Sequence, residues 1–243
     1  MSPASGRGPT RTQLVALGLT PLVPLLGLVP GGRWVLPLVA PLPLWPIFAR
    51  AVREGRFGQA FGFSMVWTAL LSASVIAFTQ LAPQAAAGAI LNAEPYRQEM
   101  FGWLESGFGK ETTPSRFVPE HLLHLGGFVV LTAISAGYLG LALGAALVGY
   151  MSYFVGSFAA SAGAPVAGSL VAWVPWSVVR VLSFVALGVV LARPVLLRRA
   201  WPFTPRERRW ILIALAGILT DLLVKTLLAP AYGRFLASWL DAG

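Results

Sequence analysis

The most prominent pattern in the chain is a long apolar run, because none of positions 121–179 is Asp, Glu, Lys or Arg. A second run without charge covers 57–93. A hydrocarbon core about 30 Å thick is crossed by about 20 apolar residues, so the first run has room for two or three crossings. Backbone groups in lipid must be hydrogen-bonded within their own segment, which favours helices. The pattern predicts an all-α, polytopic transmembrane bundle that forms a single integral membrane domain over 1–243.

The polar positions between the apolar runs indicate about seven spans. We place these spans at 13–30, 34–49, 60–82, 121–145, 147–165, 168–192 and 209–229. Seven prolines lie between Pro21 and Pro46, so the first two helices are predicted to be kinked or partly unwound. Six or eight spans would follow if these two proline-rich runs form one broken span or a re-entrant pair.

Charge placement orients the predicted bundle. The net charge is +9, and the arginines gather at 7–11, 50–56 and 193–209, next to apolar runs. Segment 92–120 is different, with five glutamates against three basic residues. Short Lys/Arg-rich loops stay cytoplasmic, which predicts an inside N-terminus, an outside C-terminus and an extracytoplasmic loop over 92–120. The expected partner of the basic clusters is therefore anionic membrane lipid, and no nucleic acid is needed to explain them.

Composition narrows the setting further. Hydrophobic residues make up 56% of the chain and charged residues 11%. The absence of cysteine excludes disulfides, thiolate catalysis and zinc–thiolate sites. Arginine far outnumbers lysine in a background rich in Ala, Gly, Pro and Leu, which is typical of GC-rich bacterial genomes. We therefore predict a multi-pass protein of a bacterial inner membrane.

Three ionisable residues are predicted to lie within spans: Arg180, Asp221 and Lys225. An ionised side chain at mid-membrane costs at least about 2.5–3.5 kcal/mol on insertion scales, so it normally has a partner or a task. Asp221 and Lys225 are four residues apart on one helix face and can neutralise each other. Arg180, placed near the centre of its span, has no acid within a turn, so Asp221 is its expected partner. Lys225 would then face a cavity, an anion or a lipid head group.

A second polar cluster, at the predicted outer boundary, contains Glu120, His121 and His124. The two histidines are three residues apart and Glu120 is four residues from His124, so all three side chains can face one divalent metal ion. Imidazole with carboxylate suits zinc or iron. The alternative is that polar residues at the start of a helix bond its free amides and meet the head-group layer.

The loop 92–120 contains a segment with helical spacing of apolar positions. Tyr96, Glu99 or Met100, and Trp103 share one face, as in a helix that lies flat at the membrane interface. Together with Arg97, the residues Tyr96, Glu99 and Trp103 are candidates for a lid over the outer mouth of the bundle. A packed connection is the alternative, since aromatic residues are common at interfaces.

The last predicted span resembles that of microbial rhodopsins in its Asp-x-x-x-Lys pattern, Asp221 and Lys225. Trp173 and Trp176, on either side of Pro175, are similar to the aromatic pocket of that family's sixth helix. The resemblance implies retinal bound to Lys225 with Asp221 as counterion. The chain departs from the family in its predicted third span, which contains no carboxylate.

These patterns favour a transporter or permease-like protein that binds a small solute, ion or lipid in an intramembrane polar cavity. The alternatives are a non-catalytic subunit or scaffold of a membrane complex and a metal-dependent intramembrane hydrolase that uses Glu120, His121 and His124. Retinal binding through Lys225 is a further alternative. Gly140 and Gly144 are spaced for close helix contact, so a homo-oligomer or other membrane subunits are expected partners.

Overall fold

The computed structural model describes residues 10–198 and 203–241, which contain helices and no strand. Arg7 and Arg199, two members of the predicted basic clusters, lie outside the described residues. The α-helices are α1 (Arg11–Gly18), α2 (Gly32–Val39), α3 (Trp45–Arg53), α4 (Phe57–Leu81), α5 (Pro83–Ala89), α6 (Ala93–Ser106), α7 (Pro114–Ile134), α8 (Tyr138–Ser161), α9 (Pro165–Val171), α10 (Pro175–Leu196) and α11 (Pro205–Asp241). Two 3₁₀ helices cover Thr20–Leu28 and Lys110–Thr112.

Within this part of the chain, five helices are long and apolar enough to cross a membrane: α4, α7, α8, α10 and α11. The pair formed by α1 and the first 3₁₀ helix is bent by 43° and would make a sixth. The protein is thus helical with several candidate spans, as expected of a membrane protein. The count of seven spans stays a prediction, because α2 and α3 are too short to cross a membrane as single helices. The orientation of the bundle also stays a prediction.

Several predicted boundaries are wrong. The break between the fourth and fifth spans falls at 135–137, where Ala136 and Gly137 adopt positive φ angles of 56° and 100°. Gly137 tolerates this conformation without strain, so the chain turns there and not after position 145. Helix α7 begins at Pro114, because proline suits the first turn of a helix. Helix α11 runs for 37 residues, about 55 Å, so the predicted outer tail after 229 is helical.

The proline-rich segment packs against the long helices. Pro24 lies within the first 3₁₀ helix, and a turn over 40–44 separates α2 from α3. Trp67 of α4 donates its indole N–H to the carbonyl of Ala40 at 2.9 Å. Tyr138 of α8 donates its hydroxyl to the carbonyl of Leu38 at 2.6 Å. Neighbouring side chains thereby bond carbonyl groups at the interruption, which lipid could not do.

The arginine-rich turns meet at one end of the bundle. The ring of Phe57, at the start of α4, lies 5.3 Å from the guanidinium of Arg193 and 5.2 Å from that of Arg206. Arg193 also forms a 2.9 Å ion pair with Glu207. These contacts bring the α3–α4 and α10–α11 connections together, while the glutamate-rich segment lies at the opposite ends of α4 and α10.

Candidate functional site

Asp221 of α11 is the centre of a buried ionic group. Its carboxylate is excluded from solvent, and Arg180 of α10 donates to both oxygens, from Nε to Oδ2 at 3.0 Å and from Nη2 to Oδ1 at 3.2 Å. The Nε2 atom of His121, on α7, contacts the same Oδ2. The predicted contact between Arg180 and Asp221 is present. Three helices therefore meet at one carboxylate.

The position of Arg180 along its helix differs from the prediction. Helix α10 begins at Pro175, so Arg180 lies in the second turn and not near the centre of a span. His121 lies in the third turn of α7, where its side chain is buried. The ionic group therefore lies toward the end of the bundle that carries the glutamate-rich segment.

A second buried ionic group contains Lys225 and Glu111. The Nζ atom of Lys225 lies 2.8 Å from Oε1 of Glu111, and the indole N–H of Trp176 donates to Oε2 at 2.9 Å. The ammonium also lies 4.5 Å from the ring centre of Phe117. Lys225 thus pairs with Glu111 and not with Asp221, which corrects the predicted environment. Retinal attachment at Lys225 would require release of this ion pair.

Glu111 was not predicted as a site residue. It belongs to 107–115, a segment whose glycines and threonines indicate a turn, and such loops usually carry solvated charges. The sequence nevertheless contained a signal. Arg180 and Lys225 are two buried cations, while Asp221 is a single anion, so a second carboxylate was needed to balance the charge.

The residues of the predicted outer cluster, Glu120, His121 and His124, do not share one partner in the structure. Glu120 lies 3.3 Å from Nζ of Lys110, which also binds Glu99 at 2.8 Å, whereas His121 is held by Asp221. The described residues contain no group of three His, Asp or Glu side chains that could hold a metal ion. The three-ligand metal site is therefore not present in this arrangement, because Glu120 and His121 point to different partners.

Helix α6 corresponds to the helix predicted within the loop. Met100 and Trp103 are buried, and the Trp103 ring meets that of Trp176 at 6.3 Å. Glu99 joins Lys110, while Arg97 lies on another side of the helix in an ion pair with Glu94. Of the four lid candidates, Tyr96, Glu99 and Trp103 therefore face the bundle and Arg97 does not.

Electrostatics at the surface of α6 strengthen its attachment. Hydrogen bonds from Arg97 and, secondarily, from the Tyr153 hydroxyl hold the pKa of Glu94 below its usual value. The hydrogen bond to Glu99 raises the pKa of Lys110 above its usual value. Both residues stay ionised near neutral pH, so α6 and the following loop are held by charged contacts.

The two ionic groups border a polar chamber that encloses about 400 Å³, including the open space at its mouth. Four polar side chains at this chamber have hydrogen-bonding atoms without a protein partner among the described residues. These are the hydroxyls of Tyr96 and Tyr150, the imidazole of His124 and Nη1 of Arg180. Burial raises the pKa of Tyr96 well above its ordinary value, so its hydroxyl keeps its proton and can donate.

An apolar cleft adjoins the chamber. It lies between α3, α4, α7, α8 and α10 and encloses about 730 Å³, including the open space at its mouth. His124, Tyr150, Met151 and Arg180 line both the cleft and the chamber. The sequence did not predict this cleft, since small and apolar residues on transmembrane helices usually indicate tight packing.

Comparisons with protein-family models, with curated proteins and with solved structures find no match to this chain. Any conclusion about function therefore depends on the geometry of the chamber, the cleft and their surroundings.

Proposed function

We propose that this chain is a transporter or permease-like protein of a bacterial inner membrane that binds an anionic solute or lipid in the polar chamber. The observation that carries this proposal is the convergence of unpartnered polar groups from α6, α7, α8 and α10 on one space. None of these atoms is among the buried side-chain atoms that lack a hydrogen-bond partner, so all of them are open to the chamber. Several polar groups that converge on one pocket favour a bound ligand.

The preference for an anion follows from which groups are already paired. The carboxylate of Asp221 is bonded by Arg180 and His121, and both oxygens of Glu111 are bonded by Lys225 and Trp176. Two further carboxylates at the chamber, Glu99 and Glu120, share the ammonium of Lys110. The groups left without a protein partner are predominantly donors: a guanidinium nitrogen, two tyrosine hydroxyls and an imidazole. Donors of this kind suit carboxylate or phosphate oxygens, and arginine is especially suited to them.

Two further features support a transporter type. Ionisable residues buried in membrane proteins commonly mark substrate or ion pathways, and Arg180 and Lys225 line this chamber. The chamber is also covered by α6 and by the 3₁₀ helix Lys110–Thr112, whose Glu111 is bonded to Lys225 of α11. Movement of this cover would connect the chamber to the outside.

The test measures anion binding by purified protein in nanodiscs of phosphatidylcholine, a zwitterionic lipid that supplies no competing anionic head group. Sodium phosphate and sodium acetate are each compared with sodium chloride at equal ionic strength, and the readout is the midpoint temperature of unfolding. We expect phosphate or acetate to raise this midpoint saturably, since a ligand that binds the folded state stabilises it by mass action. Efflux of the same anion from loaded proteoliposomes then distinguishes a transporter from a binding protein.

The double substitution Tyr96→Phe with Tyr150→Phe removes two donors without a change of charge. We expect about tenfold weaker anion binding, because each lost hydrogen bond contributes about 0.5–1.5 kcal/mol. Tyr138→Phe is the matched control, since that hydroxyl is bonded to Leu38 away from the chamber. The proposal is wrong if neither anion stabilises the wild-type protein, or if the control weakens binding as much as the double variant.

A second candidate function is a non-catalytic subunit or scaffold. It is favoured by two ion pairs within the chain, Asp221 with Arg180 and Glu111 with Lys225. Charges that neutralise one another within the chain need no ligand to justify their burial. Under this alternative, phosphate and acetate leave the midpoint of unfolding unchanged, and the chamber residues affect only folding.

A further inference from the structure

The chamber and the apolar cleft lie next to each other and differ in chemical character. Both spaces are lined by His124, Tyr150, Met151 and Arg180, so a ligand bound at these four side chains lies at the boundary between polar and apolar surroundings.

The cleft walls differ from those of the chamber in their chemistry. Phe128 and Phe184 contribute aromatic surface, and their ring centres are 5.0 Å apart. The indole N–H of Trp67 and the hydroxyl of Ser64 line the cleft but donate to backbone carbonyls of the protein. These two polar atoms are therefore already satisfied, and the cleft suits an apolar chain.

Gly144 of α8 keeps part of the cleft open. A Cβ atom built at this position meets no atom within 4 Å, in contrast to Gly140, where it meets the side chains of Thr132 and Phe128. Gly140 thus serves the close approach of α7 and α8, whereas Gly144 borders empty space. A larger side chain at 144 would extend into the volume available to a ligand.

We propose that the ligand is an amphiphile, with an oxyanion head group in the polar chamber and an apolar chain in the cleft. This inference rests on the proposed function and specifies its substrate class. The head group, a carboxylate or a phosphate monoester, is bound by Arg180, His124, Tyr96 and Tyr150. The chain extends past Met151 toward Phe128 and Gly144. Binding requires both parts of the ligand, because the chamber bonds the oxyanion and the cleft contacts the apolar chain.

The test uses the purified full chain in phosphatidylcholine nanodiscs and electron paramagnetic resonance of probes with a nitroxide at mid-chain. The probes are labelled stearate, labelled methyl stearate and a labelled lysophosphatidic acid of the same chain length. The motionally restricted fraction of each probe reports binding by the protein above the background of the bilayer. The methyl ester controls for the tail, since it keeps the chain and loses the anionic head group.

We expect one or both anionic probes to show a saturable restricted fraction that methyl stearate lacks. The stronger of the two identifies the preferred oxyanion. Gly144→Leu should weaken this binding about tenfold, in the range by which added bulk changes recognition in an apolar pocket. Gly126→Leu is the matched control and should leave binding unchanged, because Gly126 also has open space at its Cβ atom but does not line the cleft. The comparison of acid and ester in the wild-type protein does not depend on the folding of either variant.

Equal restricted fractions for the anionic probes and the methyl ester would overturn the amphiphile proposal. Equal binding by Gly144→Leu and Gly126→Leu would do the same. If stabilisation by phosphate or acetate persists in either case, the ligand is a small anion and the proposed function stands. If the small anions also fail to bind, both proposals are wrong.

Discussion

At the scale of single residues, the carboxylate of Asp221 has the greatest structural consequence. It lies at a junction of α7, α10 and α11 and compensates the charge of Arg180 while contacting His121. Breaking a buried ion pair by removal of one partner is expensive, because the remaining charge is left without compensation. The pair need not make the fold more stable than an apolar substitute would, but its two members depend on each other.

Asp221→Asn is expected to lower the free energy of unfolding by about 3–5 kcal/mol, since Arg180 loses its buried counterion. Arg180→Gln should cost a similar amount, and the double variant should recover part of the loss. Glu54→Gln, at an exposed ion pair, is the control and should change stability little. Chemical denaturation of the detergent-solubilised protein measures each value. Additive losses in the double variant would show that the two residues act independently.

The double variant also separates the two candidate functions. If Asp221→Asn with Arg180→Gln restores stability but not anion binding, the pair acts in ligand recognition. Restoration of both would indicate a structural pair.

The pairing itself could be predicted from sequence, because two opposite charges in apolar helices have few other partners. Glu111 could not, since its burial depends on how the loop 107–113 folds back onto α11.

At the scale of secondary-structure elements, close contacts at glycine position the proline-rich N-terminal segment. Gly27, in the first 3₁₀ helix, lies against Ala89 at the end of α5. A Cβ atom at Gly27 would stand 2.7 Å from the Cβ of Ala89 and 2.9 Å from its carbonyl carbon. Such distances are too short for atoms in contact, and the backbone on one side must move. The sequence showed the prolines but not which glycine would meet which helix.

Gly27→Ala is therefore expected to destabilise the protein by about 1–3 kcal/mol, as overpacking of a close contact does. Gly88→Ala, in α5 beside the same contact, has open space at its Cβ atom and should be neutral or slightly stabilising. The midpoint temperatures of unfolding of the two variants provide the comparison. Equal midpoints would show that the 3₁₀ helix is not seated against α5.

The loop after α6 provides a second element-scale prediction. Glu111→Gln removes the charge that holds this loop to Lys225, while the amide can still accept from Trp176. We expect faster amide hydrogen exchange over 107–113, because local opening no longer has to break a buried ion pair. Glu105→Gln, at an exposed position of α6, is the control. Unchanged exchange in Glu111→Gln would mean that other contacts hold the loop.

At the scale of the whole molecule, the apolar run and the charge pattern predicted different parts of the architecture. The run over 121–179 required several long helices, and α7, α8 and α10 cover most of it. Their boundaries could not be derived, because turns such as 135–137 are apolar and depend on local backbone conformation. Arginine placement predicted that 50–56 and 193–209 share one end, and Phe57 between Arg193 and Arg206 agrees with this. The number of spans depends on whether α2 and α3 cross the membrane. The prolines in this segment interrupt the sequence pattern by which a helix is recognised.

Single-cysteine labelling can determine the path of α2 and α3, because the natural chain contains no cysteine. We expect Arg33→Cys and Glu105→Cys to react with an impermeant maleimide added outside, and Arg53→Cys to react only after permeabilisation. All three positions are exposed, so access to each thiol depends on its side of the membrane.

Reaction of Arg33→Cys and Arg53→Cys from the same side would make α2 and α3 a re-entrant pair. Reaction of Arg53→Cys alone from outside would reverse the predicted orientation. The path matters for the proposed site, because α3 contributes Phe48 to the cleft that we assign to the apolar chain.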